Sequence, residues 1–208
     1  MSLTRYLRVG KMKKKIICIF VLTLLITTIL PITETVIAGD EENPEIVDVT
    51  GDTDLGFLDI ESAWFYEKAD ESDYLFTALK IKDLKEAFNA VLSIRWAYND
   101  VVYVSGVSTY YYKDKEFRSG LRQRATYRQW KSMPECIGIF DQNTDIITWK
   151  ILKSNIGNPQ RGNVLTNTEA SAVAGFPLSF ISFFIGKDYR DFAPDDYGDY
   201  GQDYIIQY

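Results

Sequence analysis

The sequence predicts an all-β fold, an antiparallel β-sandwich of jelly-roll type with roughly seven to nine strands. Three observations predict it. Segments with period-two hydrophobic alternation recur along the chain, separated by Asn, Asp and Gly turn signals. No stretch sustains the 3.6-residue period of an amphipathic helix. The strands follow one another directly, without the interleaved helices that a parallel sheet requires. An upright β-barrel is the alternative way to close the same pattern.

The first element is a targeting segment. Lys11, Lys13, Lys14 and Lys15 form a positive region, and Ile16 to Leu30 is apolar except for threonines. Pro31 follows, and Val36 and Ala38 occupy the −3 and −1 positions of a signal-peptidase site. Cleavage after Ala38 is expected, so residues 1–38 are assigned as a signal peptide, with Met12 the better start. The apolar run is shorter than the ~20 residues of a spanning helix. A retained membrane anchor is the alternative, and it is the one way a membrane would enter. Residues 39–45, "GDEENPE", read as a mobile lead-in, and residues 46–208 as one sandwich domain, long enough to bury a core.

The strands come next. "LDIESAWFYEK" (58–68) alternates, with Ile60, Trp64 and Tyr66 on one face and Asp59, Glu61 and Glu67 on the other. "DYLFTALKI" (73–81) is apolar on both faces, and the turn "KADESD" makes the two a hairpin. "AVLSIRWAY" (90–98), the turn Asn99-Asp100 and "VVYVSGVSTYYY" (101–112) form a second hairpin. "CIGIF" (136–140), "DQNT" and "DIITWKIL" (145–152) form a third. "SNIGNPQRGNVLTNTEASAVAG" (154–175) reads as a long loop with one short helix around Thr166 to Ala172, capped by Asn167 or Thr168. "LSFISFFIG" (178–186) and the closing "DYIIQY" (203–208) read as strands.

Composition excludes several functions. The leader holds six of the 23 Lys+Arg and one of the 29 Asp+Glu, which leaves 17 against 28 in residues 39–208, net −11. That charge repels nucleic acid and suits a secreted, extracellular or cell-surface protein. The chain has no histidine, which removes Ser-His-Asp and Cys-His catalysis and histidine-ligated zinc. Cys136, the lone cysteine after cleavage, lies in an apolar stretch and reads as an inert buried thiol.

Three stretches carry a resemblance: "DVTGDTDLGFLDIESAWFYEKADESDYLFTALKIKDL" (48–84), "ITWKILKSNIGNPQRGNVLTNTEASA" (147–172) and "DFAPDDYGDYGQDY" (191–204). Their order resembles secreted jelly-roll modules of archaeal and bacterial surface proteins, often appended to subtilisin-like proteases. It is more distantly similar to carbohydrate-binding-module family 9 and DOMON-like domains. Asp59-Ile60 with Ala63, Tyr74-Leu75 through Asp83-Leu84, Ala193-Pro194 and Gly201 to Tyr204 match the pattern of that group, with extra residues in the last stretch. The resemblance implies a non-catalytic module that binds glycan, with a structural calcium in several members. Members that bind haem do so through His or Met, so the missing histidine argues against haem. No nucleotide is expected.

Two constellations could carry function. Ca²⁺ takes six to eight oxygens at flexible geometry. Asp48, Asp52, Asp54 and Asp59 supply carboxylates near the first strand; Asp191, Asp195, Asp196, Asp199 and Asp203 supply them near the last. The expected metal set is Asp48, Asp52, Asp54, Asp59, Asp195, Asp199 and Asp203. The competing reading is a solvated acidic surface whose aspartates form turns. The second constellation is "FRSGLRQRATYRQWK" (117–131), where Arg118, Arg122, Arg124 and Arg128 share one face of an extended chain beside Trp130. With Tyr110 and Tyr112 they form the expected ligand-binding surface, against the reading that the arginines pair with acids on a neighbouring strand. Trp64, Trp96 and Trp149 lie on the apolar faces of their strands and are assigned to the core. The expected function is therefore a secreted, non-catalytic glycan-binding module with a structural calcium. A structural or adhesive cell-envelope module that binds protein is the alternative, and a small glycoside hydrolase built on a carboxylate pair is the third reading.

Overall fold

The structure is a computed structural model that describes residues 39–84, 89–109, 115–122, 132–175, 178–179, 189–195 and 199–208. Residues 1–38, read above as a targeting segment, lie outside them. No helix among the described residues is long and apolar enough to cross a membrane.

Two antiparallel sheets pack face to face. The first runs β1 (Ile46–Val47), β2 (Ile60–Tyr66), β3 (Tyr74–Ile81), β8 (Ile146–Leu152), β7 (Ile137–Asp141). The second runs β10 (Arg190–Ala193), β9 (Val164–Ala174), β4 (Ala90–Tyr98), β5 (Val101–Ser108), β6 (Glu116–Leu121), and β11 (Tyr204–Ile205) also pairs with β9. The all-β sandwich is as expected, and so are the three hairpins β2–β3, β4–β5 and β7–β8. β1, two residues long and too short to show as alternation, adds to the number of strands.

The core lies between the sheets. Leu75, Leu79 and Ile81 of β3 and Ile147, Trp149 and Ile151 of β8 face Leu92, Ile94 and Trp96 of β4, all fully buried. Phe65 meets Trp96 edge-on at 5.6 Å and stacks with Tyr204 at 5.7 Å. The burial of Trp96 and Trp149 matches the sequence reading.

Three local expectations need correction. In β2 the register slips between Ile60 and Ser62 opposite β3. This bulge inserts one residue and reverses the faces beyond it. Ile60 faces the inter-sheet core, but so then do Ala63 and Phe65, while Trp64 and Tyr66 turn to the other face of the first sheet, where Trp64 is still buried, as expected, but outside the cluster between the sheets.

The second correction is the long loop with its helix. The helix expected around Thr166 to Ala172 is instead part of β9, which pairs with β4 on one side and with β10 and β11 on the other. "EASAVA" favours helix by composition, but ladder hydrogen bonds on both sides override that weak preference. Asn167, read as a cap, adopts φ 52° next to the register shift opposite Arg95 and Ala97. It is a kink in a strand.

Third, Leu178 and Ser179 are helical, with the Ser179 N–H donating to the Gly175 carbonyl at 3.0 Å. The strand expected at 178–186 does not start there, and residues 180–186 lie outside the described residues.

The opening and closing stretches hold each other. The Glu45 carboxylate is buried and accepts the Phe65 N–H at 2.8 Å. The Glu45 carbonyl accepts the Gln202 N–H at 2.7 Å, and Gly201 donates to Thr168 at 2.9 Å. A Cβ on Gly201 would stand 2.4 Å from the Glu45 carbonyl oxygen, so this crossing admits only glycine. Farther on, the Tyr204 hydroxyl donates to Glu67 at 3.2 Å, and Glu67 forms a buried ion pair with Lys153 at 2.5 Å. The "DYIIQY" ending is a closing strand, as expected.

Candidate metal centre

The connection from β1 to β2, residues 48–59, carries four aspartates. It is folded on itself. Leu58 N–H donates to Leu55 at 2.8 Å, and both Asp59 carboxylate oxygens accept the Gly51 N–H, at 3.0 and 2.9 Å. Gly51 takes φ 91°, a left-handed conformation suited to glycine, and this lets its N–H point back at Asp59. Asp59 is fully buried, and its Oδ2 pairs with Lys82 Nζ at 2.8 Å.

β10 brings the other half. It lies at the edge of the second sheet, antiparallel to β9, with Asp191 opposite Ala172. Asp191 is buried, and its Oδ2 accepts the Ile60 N–H at 2.7 Å. That bond joins the edge of one sheet to β2 of the other, across 131 residues of sequence. Asp195 follows β10 and is exposed.

The carboxylates converge in two triads that share Asp191. One is Asp48, Asp191 and Asp195; the other is Asp52, Asp59 and Asp191. In each, one oxygen per residue lies within 4.8 Å of the others. Two oxygens on opposite sides of a Ca²⁺ ion, each at about 2.3–2.6 Å from it, stand about as far apart. The donors are all hard oxygens, the type that calcium selects over zinc or copper.

The electrostatics point the same way. Both Asp48 carboxylate oxygens are buried and have no hydrogen bond of good geometry. Burial, then the charges of Asp191 and Asp195, push its carboxyl up to about 8. Burial pushes Asp191 up to about 6, against the Ile60 N–H, which lowers it. Burial and then Asp195 raise Asp52 as well. Asp48, Asp52, Asp191 and Asp195 have no ion pair among the described residues, and Lys82 serves Asp59 alone. The fold thus gathers carboxyls that resist ionising together, an arrangement that a divalent cation relieves.

Of the expected metal set, Asp48, Asp52, Asp59 and Asp195 come together. Asp54, Asp199 and Asp203 fall outside both triads and are exposed. Asp191 was visible as one of the closing aspartates, yet its central place depends on β10 pairing with β9, which spacing alone does not reveal.

The arginine surface fares differently. Tyr110, Tyr112, Arg124, Arg128 and Trp130 lie outside the described residues. Arg118 is buried on β6; it donates to the Met133 carbonyl at 2.8 Å and to Glu135 at 3.2 Å, and Glu116 lies 3.7 Å away. It serves the fold, in line with the reading that pairs these arginines with acids. Arg122 is exposed at the end of β6. Cys136 is half-buried, and burial pushes its thiol up to about 12, in keeping with an inert role.

Sequence reasoning missed a groove. On the outer face of the first sheet, Trp64, Ala78, Thr148 and Ile139 align across β2, β3, β8 and β7. They line a trough of about 460 Å³, with Asp40, Glu41 and Asp141 also in its wall. The bulge in β2 aims Trp64 there, and a bulge is the feature that alternation cannot register. Comparison of the chain with family models, curated proteins and solved structures returned no match.

Proposed function

We propose that the protein is a secreted, non-catalytic binding module for extracellular or cell-surface glycan, whose first and last segments are tied by a structural calcium ion. One observation carries the calcium part: five aspartates from segments more than a hundred residues apart meet where the edges of two sheets adjoin. Asp48, Asp191 and Asp195 would hold the ion, with Asp52 and Asp59 on its flank. The ion would supply positive charge to a site that is otherwise self-repelling, and so lock β10 against the β1–β2 connection. The glycan part is supported by the resemblance of the three stretches, the acidic balance and the groove. The alternative, a cell-envelope module that binds protein, is favoured by a different observation. Ile137 and Ile139 on β7, at the end of the first sheet, are 63% and 62% exposed, as a strand awaiting a partner chain would be.

Thermal unfolding in excess chelator and then in millimolar Ca²⁺ tests the metal. A rise of several degrees with Ca²⁺ and none with Mg²⁺ is expected, because an ion bound only by the folded state stabilises it. Coincident curves would remove the ion from this account and leave the aspartates as turn formers.

A further inference from the structure

We infer that the trough on the outer face of the first sheet is the glycan subsite, and that it takes a neutral pyranose rather than an acidic or sulfated sugar. The inference rests on the glycan reading above and assigns it a place and a ligand class.

The floor has the shape a sugar ring needs. Ala78 sits between Trp64 and Thr148 in one row of cross-strand neighbours and, being almost fully buried like Trp64, forms the bottom of the trough. Ile139 stands exposed on the far side, so apolar contacts are offered along the row. A pyranose ring carries C–H groups on its faces and hydroxyls at its edge, and an apolar floor with polar walls matches both. The volume, about 460 Å³, lies in the usual range of small-ligand sites.

Charge chooses the sugar. The acids in the wall are Asp40, Glu41 and Asp141. The Asn143 N–H and the Thr144 hydroxyl hold the Asp141 carboxyl below its usual range, so it is ionised at neutral pH. The cations nearby on this face are paired, Lys80 with Glu41 at 2.6 Å and with Glu61 at 3.7 Å, and Lys150 with Glu71. Ionised carboxylates only accept hydrogen bonds. They welcome the hydroxyls of a neutral sugar and repel a uronate or a sulfate.

Titration calorimetry with cellohexaose, mannohexaose, maltohexaose, chitohexaose and a heparin hexasaccharide, in Ca²⁺ and again in chelator, tests this. At least one neutral sugar should bind and the heparin fragment should not. Ile139→Asp changes an exposed side chain and should leave the melting temperature in place while weakening binding about tenfold or more. Ala78→Leu fills the bottom of the trough and should also abolish binding, with a lowered melting temperature because Ala78 is buried. Neutral-sugar binding that both variants leave intact would overturn the groove and keep the glycan reading. Binding of the heparin fragment alone would overturn the inference and keep the glycan reading, and binding of no sugar would overturn both. In the last case, self-association abolished by Ile139→Asp would give the face to a protein partner. The melting curves report the calcium ion separately.

Discussion

The two edges of the sandwich are closed by different means. Where β6 and β7 meet, the described hydrogen bonds and ion pairs come from the chain itself. Ser119 N–H donates to the Pro134 carbonyl at 3.1 Å and Cys136 N–H to the Phe117 carbonyl at 3.2 Å. Arg118 reaches Met133 and Glu135, and the Phe117 ring lies over Gly138 and meets Trp149 at 6.3 Å. Where β10 meets the β1–β2 connection, one hydrogen bond from Ile60 to Asp191 spans the sheets, and around it stand carboxyls raised by burial and then by one another's charge. At the first edge the described charges of Arg118, Glu116 and Glu135 meet one another. The second leaves negative charge uncompensated, and so its stability should depend on what is added to the solution. Each prediction below breaks or sharpens that contrast.

The largest effect should come from Gly138→Ala at the first edge. A Cβ there would stand 1.8 Å from Phe117 Cδ1, so the ring must leave its place against Trp149. A loss of about 2–3 kcal/mol is expected in urea unfolding, of the order seen when a packed interior is overfilled. The loss should be equal in Ca²⁺ and in chelator. A calcium-dependent loss would mean that the two edges are coupled and the contrast is false.

Next is Asp48→Asn, whose effect should reverse sign with the metal. In chelator the variant removes a buried carboxyl that lacks a partner, and its melting temperature at pH 8 should rise above that of the parent protein. In millimolar Ca²⁺ it should melt below the parent, because it has lost a ligand. If the variant is less stable in both solutions, Asp48 has a structural role that its unpartnered oxygens do not reveal.

A pH series follows. Asp48 and Asp191 are raised to about 8 and about 6, and burial raises Glu45 to about 7. Between pH 4 and 8 the folded state then holds protons that the unfolded state has released. Stability therefore falls as pH rises through that window when no metal is present. Calcium displaces those protons at Asp48 and Asp191 and should flatten the profile. Glu45 should keep a smaller slope, spread from the ordinary carboxylate range up to about 7, since it bonds the Phe65 N–H and lies outside both triads. A profile that Ca²⁺ leaves unchanged would detach the titrating carboxyls from the metal.

How far these features can be read from residues alone follows from their range. The hairpins were legible because alternation and turn chemistry are local, as at Asn99-Asp100, where both residues take positive φ. The aspartate clusters were legible as composition, and their convergence followed from expecting the first and last strands to lie close. Which aspartates face inward was not legible. Asp191 and Asp54 look alike in sequence, and only the pairing of β10 with β9 separates them. A single inserted residue at the β2 bulge turned Trp64 out of the inter-sheet core, since a slip of one reverses every later side chain. In β9 the alanines that suggest helix are the small residues that pack beneath β4 and β10.

The smallest effect should come from Lys82→Gln, and it asks how nearly the acidic edge is already closed. Lys82 is half-exposed, so its pairing with Asp59 adds little to stability on its own. Yet it is the positive charge that touches the shared cluster, and it stands beside the triad of Asp52, Asp59 and Asp191. Removing it should leave the melting temperature in chelator nearly unchanged or slightly lower. Calcium affinity should rise a little, since an incoming ion would then meet the carboxylates without a competing ammonium. Calorimetric titration of parent and variant at low salt would read the difference. An unchanged affinity would place the ion wholly among Asp48, Asp191 and Asp195, with the Asp59 side of the edge already satisfied by its lysine.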